Sequence, residues 1–186
     1  MVVATAARSE ATDEYVLVDG PVGPLFVAFG ERGLTRVAPA GLTDLAREDF
    51  ERQYELRLGH RPRPAQLAPP GLPAALDSGS PRGLAVDLGG LSGFARAVLA
   101  VTAEIPFGQV RPYAWVARQV GRSGAVRAVG SALARNPLPV VIPCHRVVRS
   151  DGRVGEYAFG AGVKRALLER EGVELDSGAV RAPAQP

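Results

Sequence analysis

The chain is poor in the residues that build covalent or metal cross-links. Its 186 residues include one cysteine, Cys144, and two histidines, His60 and His145. One thiol excludes an intrachain disulfide and any multi-cysteine zinc site, so no metal is expected. Long apolar runs are equally scarce: none approaches the roughly 18 to 20 residues that a membrane span requires. The opening, MVVATAARSEATDEYV, lacks the basic-then-apolar order of a secretion signal. A soluble, cytoplasmic protein is the expectation. Lysine is nearly absent as well, with Lys164 alone among 22 cations and arginine supplying the rest.

What is present is an ordinary globular balance, 46% hydrophobic and 22% charged, in a length that gives one domain of usual size or two small ones. The net charge of +3 hides a division. Residues 1–91 carry 9 arginines against 12 acids, a net −3, whereas residues 92–175 carry 11 arginines and Lys164 against 6 acids, a net +6. A basic second half beside a mildly acidic first half suits contact with a polyanion.

Along the chain, residues 1–13 show no periodic pattern and read as a loose tail. Tyr15–Val18, Pro24–Phe29 and Leu34–Val37 are short β-rich runs separated by Gly and Pro turns, the pattern of a small antiparallel meander. Thr43 is placed to cap a helix through Leu45, Phe50 and Leu56. Six prolines fall between Arg61 and Arg82, which predicts an extended connection there, with Leu84–Leu88 returning as a further strand. After Gly89-Gly90 the spacing turns helical. Ser92 opens a helix carrying Phe94, Val98, Leu99, Val101 and Ile105. Tyr113–Val120 reads as a short helix ended by Gly121, and Ser123 offers a cap for another from about Ala125 to Ala134. Two short helices about a glycine-containing turn in a basic region read as a helix-turn-helix or as a plain helical hairpin.

The chemistry is concentrated in Asn136–Val148. Prolines at 137, 139 and 143 remove ladder donors from an apolar run, which excludes both a central strand and a helix and predicts a stiff, buried, irregular segment presenting Cys144. A thiol with a pKa near 8.5 is only a few per cent thiolate at neutral pH, so a nucleophilic role needs a base or a positive charge nearby. His145 and Arg146 follow directly. A lone buried cysteine serving only as packing is the alternative. Farther on lie the glycine-rich loop around Tyr157-Ala158-Phe159 and a last helix from Val163 to Glu171. Lys164 at the start of that helix and Glu171 at its end both oppose the helix dipole, and each asks for a partner.

Pro143-Cys144-His145-Arg146, preceded by Asn136-Pro137 and followed by Gly155-Glu156-Tyr157 and the Lys164 helix closing on Glu171-Gly172, resembles the 6-O-alkylguanine-DNA alkyltransferases, the methylated-DNA–protein-cysteine methyltransferases. The resemblance is strong over residues 92–175 and weaker over 14–60. It implies an α/β (α+β) protein: a small antiparallel-sheet N-terminal domain with a helix, ribonuclease H-like, at 14–90 including the Pro-rich connection 61–82, then a mostly helical, winged helix-turn-helix-like domain at 91–175 that binds DNA and accepts the alkyl group, with a second loose tail at 176–186. The implied activity is stoichiometric, self-inactivating transfer of the alkyl group of 6-O-alkylguanine in DNA, mainly 6-O-methylguanine, to an internal cysteine, without a cofactor.

By matching positions, Cys144 is the acceptor, His145 the base acting through a water, Glu171 its orienting partner, and Asn136 the support of the cysteine loop. Tyr113, Tyr157, Lys164 and Val147 are the implied guanine-side residues, Tyr113 and Lys164 as donors. Arg127, Arg122, Arg135, Ala125 and Ser123 are implied on the DNA side, with Arg127 entering the base stack in place of an extruded nucleotide. Arg118 and Arg149 join Arg122 and Arg135 as phosphate candidates. The implied partner is double-stranded DNA, met from the minor groove by a monomer. Glu156 stands where glycine or asparagine is usual and Ala158 where some members have serine, so the pocket departs from the pattern on one side. A non-catalytic reader of alkylated DNA and a methylation-sensing regulator are the alternatives; the presence of Cys144 argues against the first.

Overall fold

The alternating apolar residues after Glu14 form three strands, β1 (Glu14–Gly20), β2 (Gly23–Gly30) and β3 (Gly33–Pro39), paired antiparallel with Val16 opposite Val27 and Val27 opposite Val37. A computed structural model describes residues 13–41, 46–176 and 179–180. Helix α1 (Ala46–Leu58) covers this sheet with Phe50 and Tyr54, one turn apart; Phe50 stacks on Phe26 at 4.9 Å between centroids and meets Tyr15 edge-on at 5.3 Å. Leu56, expected on the buried face, is 82% exposed. It lies about 240° around the helix from Phe50, whereas Tyr54 is only one turn away. Thr43 and Leu45 lie outside the described residues.

Residue 13 is not part of a loose tail. The Asp13 carboxylate accepts from the Tyr54 hydroxyl and from His60 Nε2 at 3.1 Å, and its carbonyl accepts from Arg63 N at 2.8 Å. These bonds tie the sheet edge to α1 and to the two-residue strand β4 (Arg63–Pro64), which runs parallel to β1 and completes the order β3-β2-β1-β4.

The Pro-rich segment departs most from expectation. Residues 61–82 hold β4 and a helix, α2 (Leu72–Ser78). Pro73 falls in the first turn of α2, where a missing N–H costs nothing, and left-handed Gly71 and Gly79 flank the helix. Leu72, Ala75 and Leu76 recur at helical spacing and are buried. The expected strand at Leu84–Leu88 contracts to a bridge, Leu34 with Val86, because Gly83 and Gly90, both at positive φ, turn the chain away on either side.

In the second half, α3 (Gly93–Ala103) begins as predicted, with the Ser92 hydroxyl accepting from Ala95 N at 3.2 Å. Next come β5 (Arg111–Pro112), α4 (Tyr113–Gln119) and α5 (Val126–Ala134). Ser123 does not cap α5. The cap position is Ala125, without a side-chain bond, because the helix starts at Val126 and Ser123 precedes it by too many residues to reach its free N–H groups. A single 3-10 turn, Cys144–Arg146, leads into β6 (Val147–Val148), parallel to β5. Helix α6 (Ala161–Arg170) follows. The last described residues also correct a tail assignment: β7 (Leu175–Asp176) pairs with β8 (Ala179–Val180), and Val180 N donates to Gly152 O at 2.8 Å.

The largest buried cluster joins Val16, Leu25, Leu72 and Leu76 from the first half with Leu99, Val116, Leu133 and Val141 from the second. Val37 N donates to Pro137 O at 2.8 Å, so β3 also holds the segment that leads to Cys144. Among the described residues no helix is long and apolar enough to cross a membrane.

The close of α2 gives a direct test of this packing. A Cβ on Gly79 (φ 57°) would stand 2.4 Å from Arg146 Nη2, whereas one on Gly71 (φ 84°) would meet only the Leu84 side chain at 3.6 Å. Both backbones disfavour a side chain by about 1 kcal/mol or more. Gly79→Ala is therefore expected to lower stability by about 2–4 kcal/mol and Gly71→Ala by about 1 kcal/mol in urea unfolding. Equal losses at the two positions would contradict the close approach at Gly79.

Candidate active site

The segment 136–143 is buried throughout, as its apolar residues and prolines predict, and it forms no regular element beyond a bridge between Pro139 and Ile142. Its stiffness is visible at Val140, a β-branched residue held at φ 73°, a conformation that persists only when the surroundings impose it. Asn136 supplies part of that constraint. Its Oδ1 accepts from Leu138 N at 3.0 Å, and its Nδ2 donates both to Ile142 O at 3.0 Å and to Cys144 Sγ at 3.1 Å. One amide thus folds the loop and presents a donor to the sulfur.

Cys144 is buried, and burial pushes its thiol up; the Asn136 bond, the Lys164 charge and its own backbone N–H oppose that rise. A donor aimed at sulfur favours the thiolate over the thiol. Behind the cysteine, His145 and Arg146 are both almost wholly enclosed and share one carboxylate. His145 Nε2 lies 2.8 Å from Glu171 Oε1. Arg146 donates through Nε to Glu171 Oε2 and through Nη2 to Oε1, each at 2.8 Å. The rest of the guanidinium reaches Ser78 O at 2.7 Å, Gly79 O at 2.9 Å and Ile105 O at 2.8 Å, so all of its N–H groups are used. Glu171 Oε2 accepts a further bond from Gly108 N at 3.2 Å. The helix-end carboxylate that looked misplaced in sequence is therefore fully partnered.

The ionisation states follow. Burial alone would raise the Glu171 carboxyl, but the His145 and Arg146 hydrogen bonds and charges overturn it and hold the group down to about 2. Burial lowers His145, against the pull of Glu171, and leaves the imidazole neutral. Because a carboxylate only accepts, Nε2 carries the proton and Nδ1 presents a bare lone pair. That nitrogen is buried and has no partner among the described residues. A neutral imidazole with a free lone pair, on the residue next to the thiol in sequence, can serve as a proton acceptor.

A cavity of about 150 Å³ opens onto the sulfur. Gly130, Leu133 and Ala134 of α5 line one side, Glu156, Tyr157 and Ala158 the other, and Tyr113 of α4 closes it beside Cys144. Of the residues expected at the guanine, Tyr113 and Tyr157 are there. Burial raises both phenols, so both stay protonated donors. Lys164 and Val147 do not line the cavity. Lys164 is fully buried, donates to Val147 O at 2.7 Å and Glu156 O at 3.4 Å, and lies 5.9 Å from the centroid of the Tyr113 ring. Burial lowers its ammonium to about 8. Lys164 is thus held by a bond to the backbone that follows the cysteine turn, away from the cavity wall.

On the expected DNA side, Arg122, Ser123, Arg127 and Arg135 are exposed and Ala125 is half-buried. They lie around α5 and the turn before it, and Arg135 O also accepts from Arg57 Nη2 at 3.4 Å. Sequence reasoning missed two things. It gave Arg146 no role beyond adjacency to the thiol, although a lone arginine inside an apolar run is itself a sign of a buried carboxylate partner. It also overlooked Gly130, whose place inside a helix could have marked a wall where a ligand needs room. Among the described residues no cluster of three or more His, Cys, Asp or Glu could hold a metal ion.

Comparison with known proteins adds an independent line. Residues 93–173 match the family model described as "6-O-methylguanine DNA methyltransferase, DNA binding domain". A curated methylated-DNA–protein-cysteine methyltransferase from Methanothermobacter thermautotrophicus is 48% identical over 91 residues, which span 49% of this chain and about half, 51%, of that relative. The protein of the same name from Methanosarcina barkeri is 32% identical over 161 residues, covering 84% of this chain and 96% of its own length. The crystal structure of Mycobacterium tuberculosis OGT in complex with DNA superposes with a TM-score of 0.68 at 32% identity, covering 85% of this chain and 92% of that one.

The clamp makes stability depend on pH with a definite sign. Glu171 titrates at about 2 in the fold against 4.5 in the unfolded chain, so its contribution is present above about pH 4.5 and is lost as pH falls toward 2. Glu171→Gln is expected to cost about 3 kcal/mol at pH 7, with the gap from wild type closing between those values. Urea midpoints of both proteins measure this, and a gap that is constant down to pH 2.5 would contradict it.

Proposed function

The chain belongs to the methylated-DNA–protein-cysteine methyltransferase family, and from that premise we propose that it repairs 6-O-alkylguanine in DNA by moving the alkyl group onto Cys144, once per molecule. The observation that carries the reading is Cys144 itself, lining a small cavity with the Asn136 amide donating to its sulfur and, on the next residue, a neutral imidazole held by Glu171. Such a site can generate a thiolate and has room for one flat, extruded group.

The chemistry then runs as a displacement. Cys144 gives its proton, relayed by a water, to the free lone pair of His145, and Glu171 steadies the imidazolium that forms. Sγ attacks the alkyl carbon, the carbon–oxygen bond breaks, its electron pair stays on the guanine, and the guanine takes up one proton, balancing the one that Cys144 gave to His145, which the imidazolium returns through water. The Tyr113 hydroxyl donates to the base as that charge develops, and Lys164 assists through its field from behind Val147. The product is a thioether in a buried site. Nothing in the cycle regenerates the thiol, so one molecule removes one lesion and needs no cofactor.

A carbon within a duplex is beyond the reach of a buried thiol, so the nucleotide must leave the stack at a cost of a few kcal/mol. Arg127, exposed in the first turn of α5, is the residue we assign to the gap it leaves. α5 meets the minor groove, whose sparse code suits a lesion found in any sequence, and Arg118, Arg122, Arg135 and Arg149 contact phosphates. In this reading residues 91–175 are the unit that binds DNA and accepts the alkyl group, 14–90 is the supporting α/β unit, and the protein acts as a monomer in the cytoplasm.

Incubation with a duplex carrying one 6-O-methylguanine should add one CH2 increment to the peptide bearing Cys144, saturating at one per chain. Tight binding with no adduct in intact-mass spectra would favour a non-catalytic reader of damage instead. Arg127→Ala should slow transfer from duplex DNA by about tenfold or more while leaving transfer from the same lesion in a single-stranded oligonucleotide within about twofold, since only the duplex demands extrusion. Equal losses on both substrates would remove Arg127 from that role.

A further inference from the structure

Every side chain that lines the Cys144 cavity is neutral except Glu156. Glu156 is exposed, on the irregular loop between β6 and α6, and its backbone carbonyl accepts from Lys164 Nζ at 3.4 Å. Its carboxylate forms no ion pair among the described residues. The two cations close enough to oppose it are otherwise engaged. Lys164 is fully buried and contributes no wall to the cavity, its Nζ lying 2.7 Å from Val147 O. Arg149, whose stem passes the rim near Gly155, lies 3.4 Å from Asp151. The charge of Glu156 is felt inside the cavity: after burial and Cys144 it adds to the rise of the Tyr113 phenol, and it opposes the lowering of Lys164 by burial.

We infer that Glu156 is a specificity-determining residue that sorts alkyl adducts by charge, admitting neutral groups and rejecting adducts that carry a carboxylate. The inference rests on the alkyl-transfer reading above and deepens it by naming the class of adduct the site accepts. In the transfer step the alkyl carbon approaches Cys144 Sγ with its substituents directed along the cavity wall. The sulfur–carbon bond forms, the carbon–oxygen bond breaks with its pair left on the guanine, and any charge carried by the alkyl group remains beside Glu156 throughout. A neutral substituent meets only the small Ala158 methyl and the α5 wall. An anionic one meets the like charge of Glu156, which no cation among the described residues pairs. At separations of 6–8 Å and a dielectric between protein surface and water, one such repulsion amounts to about tenfold in rate.

The test compares two duplexes of one sequence, carrying either 6-O-carboxymethylguanine or its neutral isostere 6-O-carbamoylmethylguanine, with wild-type protein and Glu156→Gln. Single-turnover transfer to Cys144 is followed by peptide mass. The expected result is that the ratio of neutral to anionic rates falls by about tenfold on going from wild type to Glu156→Gln, through a faster reaction of the carboxymethyl adduct. A ratio unchanged within twofold would overturn the filter. So would a substitution that accelerates both adducts equally, because Glu156 would then be repelling the DNA backbone rather than the alkyl group. Failure of wild type to transfer even the neutral group would overturn the alkyl-transfer reading itself, and the filter with it.

Discussion

The arrangement depends on one carboxylate. Glu171 closes α6 where its charge opposes the helix dipole, and it is buried, so alone it would be expelled or neutralised. It is kept ionised by Arg146, which takes both of its oxygens, and it in turn fixes the proton of His145 on Nε2. Three buried ionisable groups thus hold one another in defined states. The same guanidinium grips the carbonyls of Ser78 and Gly79 at the end of α2, so the Pro-rich segment is bound to the floor of the site. A buried ion pair of this kind contributes little net stability, yet removing one member leaves a bare charge in the core. Its value is in fixing orientation: the free lone pair of His145 has only one available direction.

Cys144 is positioned by a separate device. Prolines and the strained Val140 make the 136–143 segment rigid, and the Asn136 side chain joins its two ends while donating to the sulfur. Burial opposes the thiolate, and Asn136 and Lys164 favour it. The two devices meet at the 3-10 turn Cys144–Arg146, where three consecutive residues would supply, in the proposed reaction, the nucleophile, its base and the arginine that orients the base's partner. The cavity wall opposite is assembled from a helix and a loop, which allows its chemistry to vary without disturbing that turn.

Much of this was legible in the chain. The three strands, the Ser92 cap and the stiff cysteine segment follow from alternation, capping and proline placement, and the oddly placed Glu171 announced a buried partner. Other features needed three-dimensional context. Six prolines hid α2, because proline disrupts a helix only beyond its first turn, and Pro73 lies within it. The Leu56 and Ser123 expectations failed by a fraction of a turn, a margin that local spacing does not resolve. Lys164 read as a direct donor to the base; that it instead satisfies the Val147 carbonyl depends on two segments, 17 residues apart, meeting in the core. Arg146 was visible as a residue and invisible as a hub, since its partners at 78–79, 105 and 171 come from three places in the sequence.

Burial keeps His145 neutral, while the Glu171 clamp fixes its proton on Nε2 and leaves Nδ1 bare, the state in which it could take the proton of Cys144 in the proposed reaction. Nitrogen-15 chemical shifts of the His145 ring, followed from pH 8 down to pH 5 in the unreacted protein, measure this directly. The account predicts, near pH 7–8, one protonated and one unprotonated nitrogen, assigned to Nε2 and Nδ1, with protonation displaced to lower pH than in an ordinary histidine. An imidazolium at neutral pH, or the proton on Nδ1, would contradict it.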